Sequence, residues 1–229
     1  MAGNLRGLIA EFLGTFAWVL FVAGALCSRS LEPAMPRGSL PLALTQGLAV
    51  TAVFGLLGRY SFGYFNPALT LALALWRRID WVRASLSIFF QLLGSALAAL
   101  LLLHAYPDAA GEPLHLGAPS LGAIGFRTAT LVECVLSFFF ALAVTRSTVE
   151  QGHPSFRTRA VFIGAVAAAA ALCAGPLTGA VINPARAFGP ALASGFWTHQ
   201  YVFWIGSLAG SLAGVSLTQT LYKSHQEKT

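Results

Sequence analysis

Two asparagines carry most of the chemistry this chain offers. Asn66 opens the triplet Asn66-Pro67-Ala68, and Asn183 opens Asn183-Pro184-Ala185 117 residues later, a separation close to half of the 229-residue length. An Asn side chain can accept hydrogen bonds from the free N–H groups at a helix start, and proline, with fixed φ and no N–H, suits the first helical position. A short helix is therefore expected from Pro67 and a second from Pro184. With its side-chain oxygen spent on the local backbone, each asparagine keeps an amide N–H to orient a small passing acceptor. One turn past the second asparagine, Arg186 adds a cation within Thr178 to Pro190, a Gly/Pro-broken tract between two long apolar runs. Glu11 and Glu133 are carboxylates inside apolar segments, where ionisable groups are costly and by default functional or tightly paired.

The elements that must hold these residues lie in a membrane. Hydrophobic residues make up 56% of the chain and charged residues only 10%, with a mean hydropathy of +0.71. A soluble domain of this length carries charge on about a quarter of its residues. The net charge of +6 does not point to nucleic acid, because the basic residues are scattered through short connections with no patch of interleaved aromatics. They report topology instead. Arg6, Arg59, Arg77, Arg78, Arg83, Arg146, Arg157, Arg159, Lys223 and Lys228 fall on one side, leaving Arg29, Arg37, Arg127 and Arg186 for the other side or the interior. The positive-inside rule makes the crowded side cytoplasmic and puts both termini there. Cys27, Cys134 and Cys173 lack metal-ligand spacing and read as buried structural thiols. No metal, cofactor or nucleic-acid partner is implied, and no nucleophile set or phosphate loop suggests an enzyme.

Six segments, near 8–28, 41–59, 82–104, 128–147, 160–177 and 201–222, have the roughly 17 to 25 apolar residues needed to span a hydrocarbon core of about 30 Å. The pieces from Pro67 to Trp76 and from Pro184 to Ala193 would rise only about 15 Å, half of that core. Neither crosses alone. Because unpaired backbone is not tolerated against lipid, the loops leading into them must be buried or line an aqueous cavity. Two half-helices entering from opposite faces and meeting at their asparagines satisfy this. Offsets from the asparagines support a duplication: Gly47 and Gly164 each precede theirs by 19 residues, Gly94 and Gly210 follow by 28 and 27, and Glu11 and Glu133 precede by 55 and 50. Each half holds three spans, an odd number, so the second half enters the membrane upside down. The fold expected is an all-α membrane protein of six transmembrane helices and two re-entrant half-helices, built as an inverted repeat. It forms a single domain over 1–229, with repeat one about 1–105, repeat two about 125–229 and an external loop between.

Two Asn-Pro-Ala triplets in these places, the second extended to Arg186, with Glu11 and Glu133 in the first span of each half, make the whole chain resemble the major intrinsic protein family, the aquaporins. The resemblance implies a pore in each subunit, assembly as a homotetramer in the lipid bilayer, and passive flow of water or small neutral solutes. It makes Arg186 the arginine of the outer constriction, with Gln46, Ala171 and Ala180 at the other constriction positions. The backbone carbonyls of Gly63, Tyr64 and Phe65, and of Ala180, Val181 and Ile182, are expected to form an acceptor ladder along the pore. Glu11 and Glu133 become braces for the N–H groups of the two re-entrant loops, with Gln91 a lesser brace. If they instead carry protons, the chain would be a coupled secondary transporter of a small solute; a non-conducting membrane scaffold is a further alternative.

The chain departs from strict water channels, which resemble Phe and His where it has Gln46 and Ala171. A wider, still polar mouth would admit hydrogen peroxide, ammonia or urea beside water. Ala187 follows Arg186 where glycerol facilitators resemble an Asp, and Phe203-Trp204 looks like the aromatic pair of water channels. Ala174 to Gly179 and Ala187 to Ala191 are most similar to tonoplast-type aquaporins. His115 in the external loop is expected to be solvated, with reach to the mouth as the alternative. Tyr64 stands where many relatives show a His. Ala180 stands where mercury-sensitive relatives carry a Cys.

Overall fold

A computed structural model describes residues 2–31, 39–62, 64–149 and 156–226. Gly63, Arg37 and Lys228, which carry expectations above, lie outside the described residues. Among the described residues eight α-helices follow in order: α1 Ala2–Cys27, α2 Leu40–Leu57, α3 Pro67–Leu75, α4 Trp81–Ala105, α5 Phe126–Val149, α6 Phe156–Thr178, α7 Pro184–Ser194 and α8 Gln200–Gln226. Six of them supply stretches long and apolar enough to cross a membrane, Leu5–Ser30 (α1 with the 3-10 turn Ser28–Ser30 that continues it), Leu40–Leu57, Trp81–Ala105, Phe126–Ser147, Thr158–Thr178 and Gln200–Leu221. These differ from the expected spans by at most three residues at either end: most run past the apolar stretch, as α4 does behind its N-cap Asp80, while the second stops two residues short, at Leu57. The chain is an integral, multi-pass membrane protein.

The short helices are α3, 9 residues, and α7, 11 residues. Both start as the Asn-Pro pairs require, with the proline at the first helical position and the asparagine as N-cap. Asn66 (φ −144°, ψ 113°) and Asn183 (φ −149°, ψ 110°) adopt nearly the same extended conformation, and each side-chain oxygen accepts from the N–H two residues on, at 3.0 Å.

Packing repeats with the halves exchanged. The helix α1 packs on α4 as α5 packs on α8, α2 lies against α6, and each half-helix leans on the last span of the other half, α3 on α8 and α7 on α4. Glycine permits the closest of these approaches. A Cβ at Gly47 would stand 2.9 Å from the Gly164 carbonyl oxygen, and one at Gly164 would stand 2.5 Å from that of Gly47. The positions that matched by offset thus meet each other across the pseudo-two-fold axis. Gly94 approaches the carbonyl of Phe12, the residue after Glu11, and Gly210 that of Cys134, the residue after Glu133. The same contact is made once in each half. Between them Phe54 packs edge-on against Phe65 and Phe140, with ring centroids 5.3 and 6.2 Å apart, which fixes the first re-entrant loop to the core.

Candidate functional site: two opposed loops

The loops entering α3 and α7 are strained and heavily braced. Tyr64 and Phe65 in the first, and Ala180 and Ile182 in the second, have φ between 47° and 62°, in the left-handed region that costs a non-glycine residue about 1–3 kcal/mol. Buried carboxylates offset this. Glu11 accepts from the Phe62 and Phe65 amides at 2.7 and 2.9 Å, from the Ser61 hydroxyl and from Gln91 Nε2. Glu133 accepts from the Val181 and Ile182 amides at 3.0 and 2.9 Å. Both glutamates are completely buried, where an isolated carboxylate would be prohibitively costly and several N–H donors make it tolerable. Gln91 also donates to Thr70 Oγ1, which donates to the Asn66 carbonyl. Gln91 therefore ties α4 to both the brace and the cap.

The two tips touch. Asn66 Nδ2 donates to the carbonyl of Ile182 at 2.8 Å, and Asn183 Nδ2 donates to that of Phe65 at 2.9 Å, each oxygen belonging to the residue just before the opposite asparagine. One of the two amide hydrogens on each asparagine is thus spent across the junction.

This revises the expected acceptor ladder. The Phe65 oxygen takes Asn183 Nδ2 and, at 3.3 Å, the Thr15 hydroxyl, which fills both its lone-pair sites. The Ile182 oxygen takes Asn66 Nδ2, and the Ala180 oxygen takes Gln46 Nε2 at 3.0 Å. The Phe65 and Ile182 carbonyls tie the two loops together, because the tips lie close enough for cross-donation, and the Ala180 carbonyl ties the second loop to α2; the Ile182 and Ala180 oxygens each keep a lone pair for a further donor. Among the described residues the Val181 oxygen accepts no hydrogen bond. Tyr64 stacks on Phe54 with ring centroids 6.2 Å apart.

Cavities flank the junction at opposite ends of α2 and α6. The larger, about 50 Å³ and open to solvent, is lined by Gln46, Ala171, Gly175, Gly179 and Arg186 together with Leu114 and Gly117–Ser120 of the connection between halves. The smaller, about 10 Å³, is bordered by Phe54, Gly58, Tyr64, Arg159 and Ile163. Of the four expected constriction residues, Gln46, Ala171 and Arg186 come together on the larger cavity. Ala180 does not line it: its methyl is packed with Ala43, Ala170, Ala171 and Ala174, and only its carbonyl reaches the site, through Gln46. Gln46 is more than a polar lining, since its amide also reaches the Ala167 carbonyl at 3.4 Å. Arg186, 1% exposed, donates from an Nη to the carbonyl of Gly117 at 2.8 Å.

Gly117 had no place in the reading of motifs. Its segment is buried from Leu116 to Pro119, and the signal for that, a connector of small and apolar residues, Leu-Gly-Ala-Pro, was present in the sequence. His115 neither reaches the larger cavity's lining nor stands free in solvent. It is partly buried, with its ring stacked on Phe196 at 3.9 Å and an interplanar angle of 5°.

Six membrane spans with two capped half-helices joined tip to tip define a polytopic membrane protein of the opposed-half-helix channel class. The chain belongs to the major intrinsic protein family, whose model matches residues 1–217. It is 37% identical to aquaporin TIP4-4 of Zea mays over 222 residues, covering 93% of this chain and 86% of that one. It is 35% identical to the probable aquaporin TIP3-2 of Oryza sativa subsp. japonica (91% and 78%) and 36% identical to the lens fiber major intrinsic protein of Gallus gallus (95% and 80%). Its fold is similar to that of the aquaglyceroporin from Plasmodium falciparum, with a TM-score of 0.78 over 94% of each chain at 22% identity. Family membership puts it among channels and not among enzymes.

Proposed function

We propose that this protein conducts water passively across its membrane, through a path that runs from the larger cavity past Asn66 and Asn183 to the smaller one. The observation that carries this reading is the junction itself, two asparagines capping opposed half-helices between cavities at opposite ends of α2 and α6. The second amide hydrogen of each asparagine donates to a passing water oxygen. Each half-helix N-terminus contributes about half a positive charge. Two such charges roughly 5 Å from a monovalent cation oppose it by about 3 kcal/mol at an effective dielectric of 20. Ions also lose a hydration shell that the site does not replace, and a water held with its oxygen toward both asparagines interrupts a proton wire. Arg186 adds a cation at the outer constriction. Glu11 and Glu133 act as loop braces and not as proton carriers, since their oxygens are occupied by loop donors.

The residues Gln46 and Ala171 favour relaxed selectivity, with hydrogen peroxide, ammonia and urea passing beside water. Subunits assemble as a homotetramer in which each carries its own pore, both termini are cytoplasmic, and the two repeats, about 1–105 and 125–229, join through an external loop.

Osmotic shrinkage of proteoliposomes tests this. Wild-type protein should give fast water efflux that falls about tenfold or more in Asn183→Trp or Arg186→Trp, because either side chain would fill a single-file path. Wild-type efflux at the rate of empty vesicles sinks the reading. Uptake of urea, peroxide and ammonia at background rates would confine it to water.

A further inference from the structure

The seryl hydroxyl of α4 sits astride one turn of α7. Ser95 Oγ accepts from the Gly189 amide at 2.9 Å and donates to the Ala185 carbonyl, the two groups that an α-helix pairs with each other across four residues. The backbones of α4 and α7 meet here: a Cβ on Gly189 would stand 2.2 Å from the Ser95 carbonyl oxygen and 2.3 Å from its hydroxyl. Arg186 lies inside this turn. The next residue, Pro190, has no N–H to donate to the Arg186 carbonyl, so the helix's own ladder is weakest where Arg186 needs to be held.

The other half of the molecule provides an internal control. Ser211 follows Gly210 as Ser95 follows Gly94, but its hydroxyl is buried with no hydrogen-bond partner among the described residues. The helix facing it, α3, has Ala72 six residues past its asparagine where α7 has Gly189, and Asn66-Pro67-Ala68 is followed by no arginine. The hydroxyl clamp occurs on the half-helix that carries the guanidinium and not on its pseudo-symmetric partner. We infer that Ser95 is a positioning residue for selectivity: it fixes the register of the first turns of α7, so that Arg186 stays docked on Gly117 and holds the outer constriction at its width. This rests on the reading of Arg186 as a constriction residue.

Urea and water permeabilities of the full-length protein in proteoliposomes, taken as a ratio, provide the test. Loss of fold or of copies lowers both permeabilities together, whereas a displaced Arg186 changes their ratio. Ser95→Ala should raise the urea-to-water ratio by roughly threefold or more, Ser95→Thr, which keeps the hydroxyl, should return it toward wild type, and Ser211→Ala should leave it unchanged. An unchanged ratio in Ser95→Ala, or an equal rise in Ser211→Ala, overturns the proposal. Should Ser95→Ala fail to insert, Gly189→Ala forces the same contact apart with the hydroxyl intact; it is expected to raise the ratio, and no rise refutes the clamp. Arg186→Ala separates the two readings: if it leaves the ratio unchanged, the constriction assignment fails, whatever Ser95 does.

Discussion

The two re-entrant loops do the same job with different sources of support. At the first, nearly every bond comes from its own half: Glu11 and Thr15 from α1, Ser61 from the loop, Thr70 from α3 and Gln91 from α4. At the second, Glu133 of its own half accepts two loop amides and the Thr178 hydroxyl. Thr178 Oγ1 also accepts from the Ala180 amide, and further ties come from elsewhere, with Gln46 and Ser95 belonging to the first half and Gly117 to the connection between halves. A loop held from within is a stable fixture. One held by several neighbours is adjustable, and it is the one that carries Arg186. Substitutions around the first loop should therefore act mainly on stability, and those around the second mainly on what passes.

The largest expected effect breaks the first loop. Glu11→Ala strips acceptors from a buried and a part-buried backbone amide, a serine hydroxyl and a buried glutamine amide; at about 1–3 kcal/mol per orphaned buried donor the loss amounts to several kcal/mol. The protein should fail to accumulate as a monodisperse species, or melt more than about 10 °C lower in a thermal ramp in detergent. Glu133→Ala should cost less, because fewer donors are orphaned. A larger drop in apparent melting temperature for Glu133→Ala than for Glu11→Ala would reverse the comparison.

Gln46→Ala sharpens it. Removing the amide frees the Ala180 carbonyl and widens the mouth, at a stability cost of about 1–2 kcal/mol. The urea-to-water permeability ratio should rise about twofold, while Gln91→Ala, the amide at the first loop, should lower the melting temperature and leave the ratio alone. The smallest effect concerns thiols. Cys173 is exposed on α6, Cys27 is buried and Cys134 half-buried, and none lines either cavity flanking the junction. Mercuric chloride should therefore inhibit water flux only weakly. Strong inhibition that disappears in Cys173→Ser would show that α6 presents another face to the pore.

The spans, both half-helices and the glutamates were legible in the sequence because each depends on a local rule or on composition. Asn-Pro sets a helix start wherever it falls, and a carboxylate in an apolar run must find donors. The duplication was legible for the same reason, since backbone contacts at Gly47 with Gly164, and at Gly94 and Gly210, tolerate only glycine. The carbonyl directions were not. They follow from left-handed residues at Tyr64, Phe65, Ala180 and Ile182, which no propensity favours and which only the bracing network enforces. Gly117 and Ser95 were equally hidden, since a backbone oxygen in a connector and a serine on an apolar helix become informative only once their partners are placed.

The bond from Arg186 to Gly117 has a consequence for how the molecule could be divided. A gene cut in the middle to yield two separately made polypeptides would be expected to reassemble, given the complementary faces of the halves. The cut site decides whether the product discriminates. Severed near Gly111, which is exposed and has open space beside it, the second fragment keeps the oxygen that docks its own guanidinium. With residues 112–122 deleted, the fragments could still pair, but the Arg186 guanidinium would have lost its mooring.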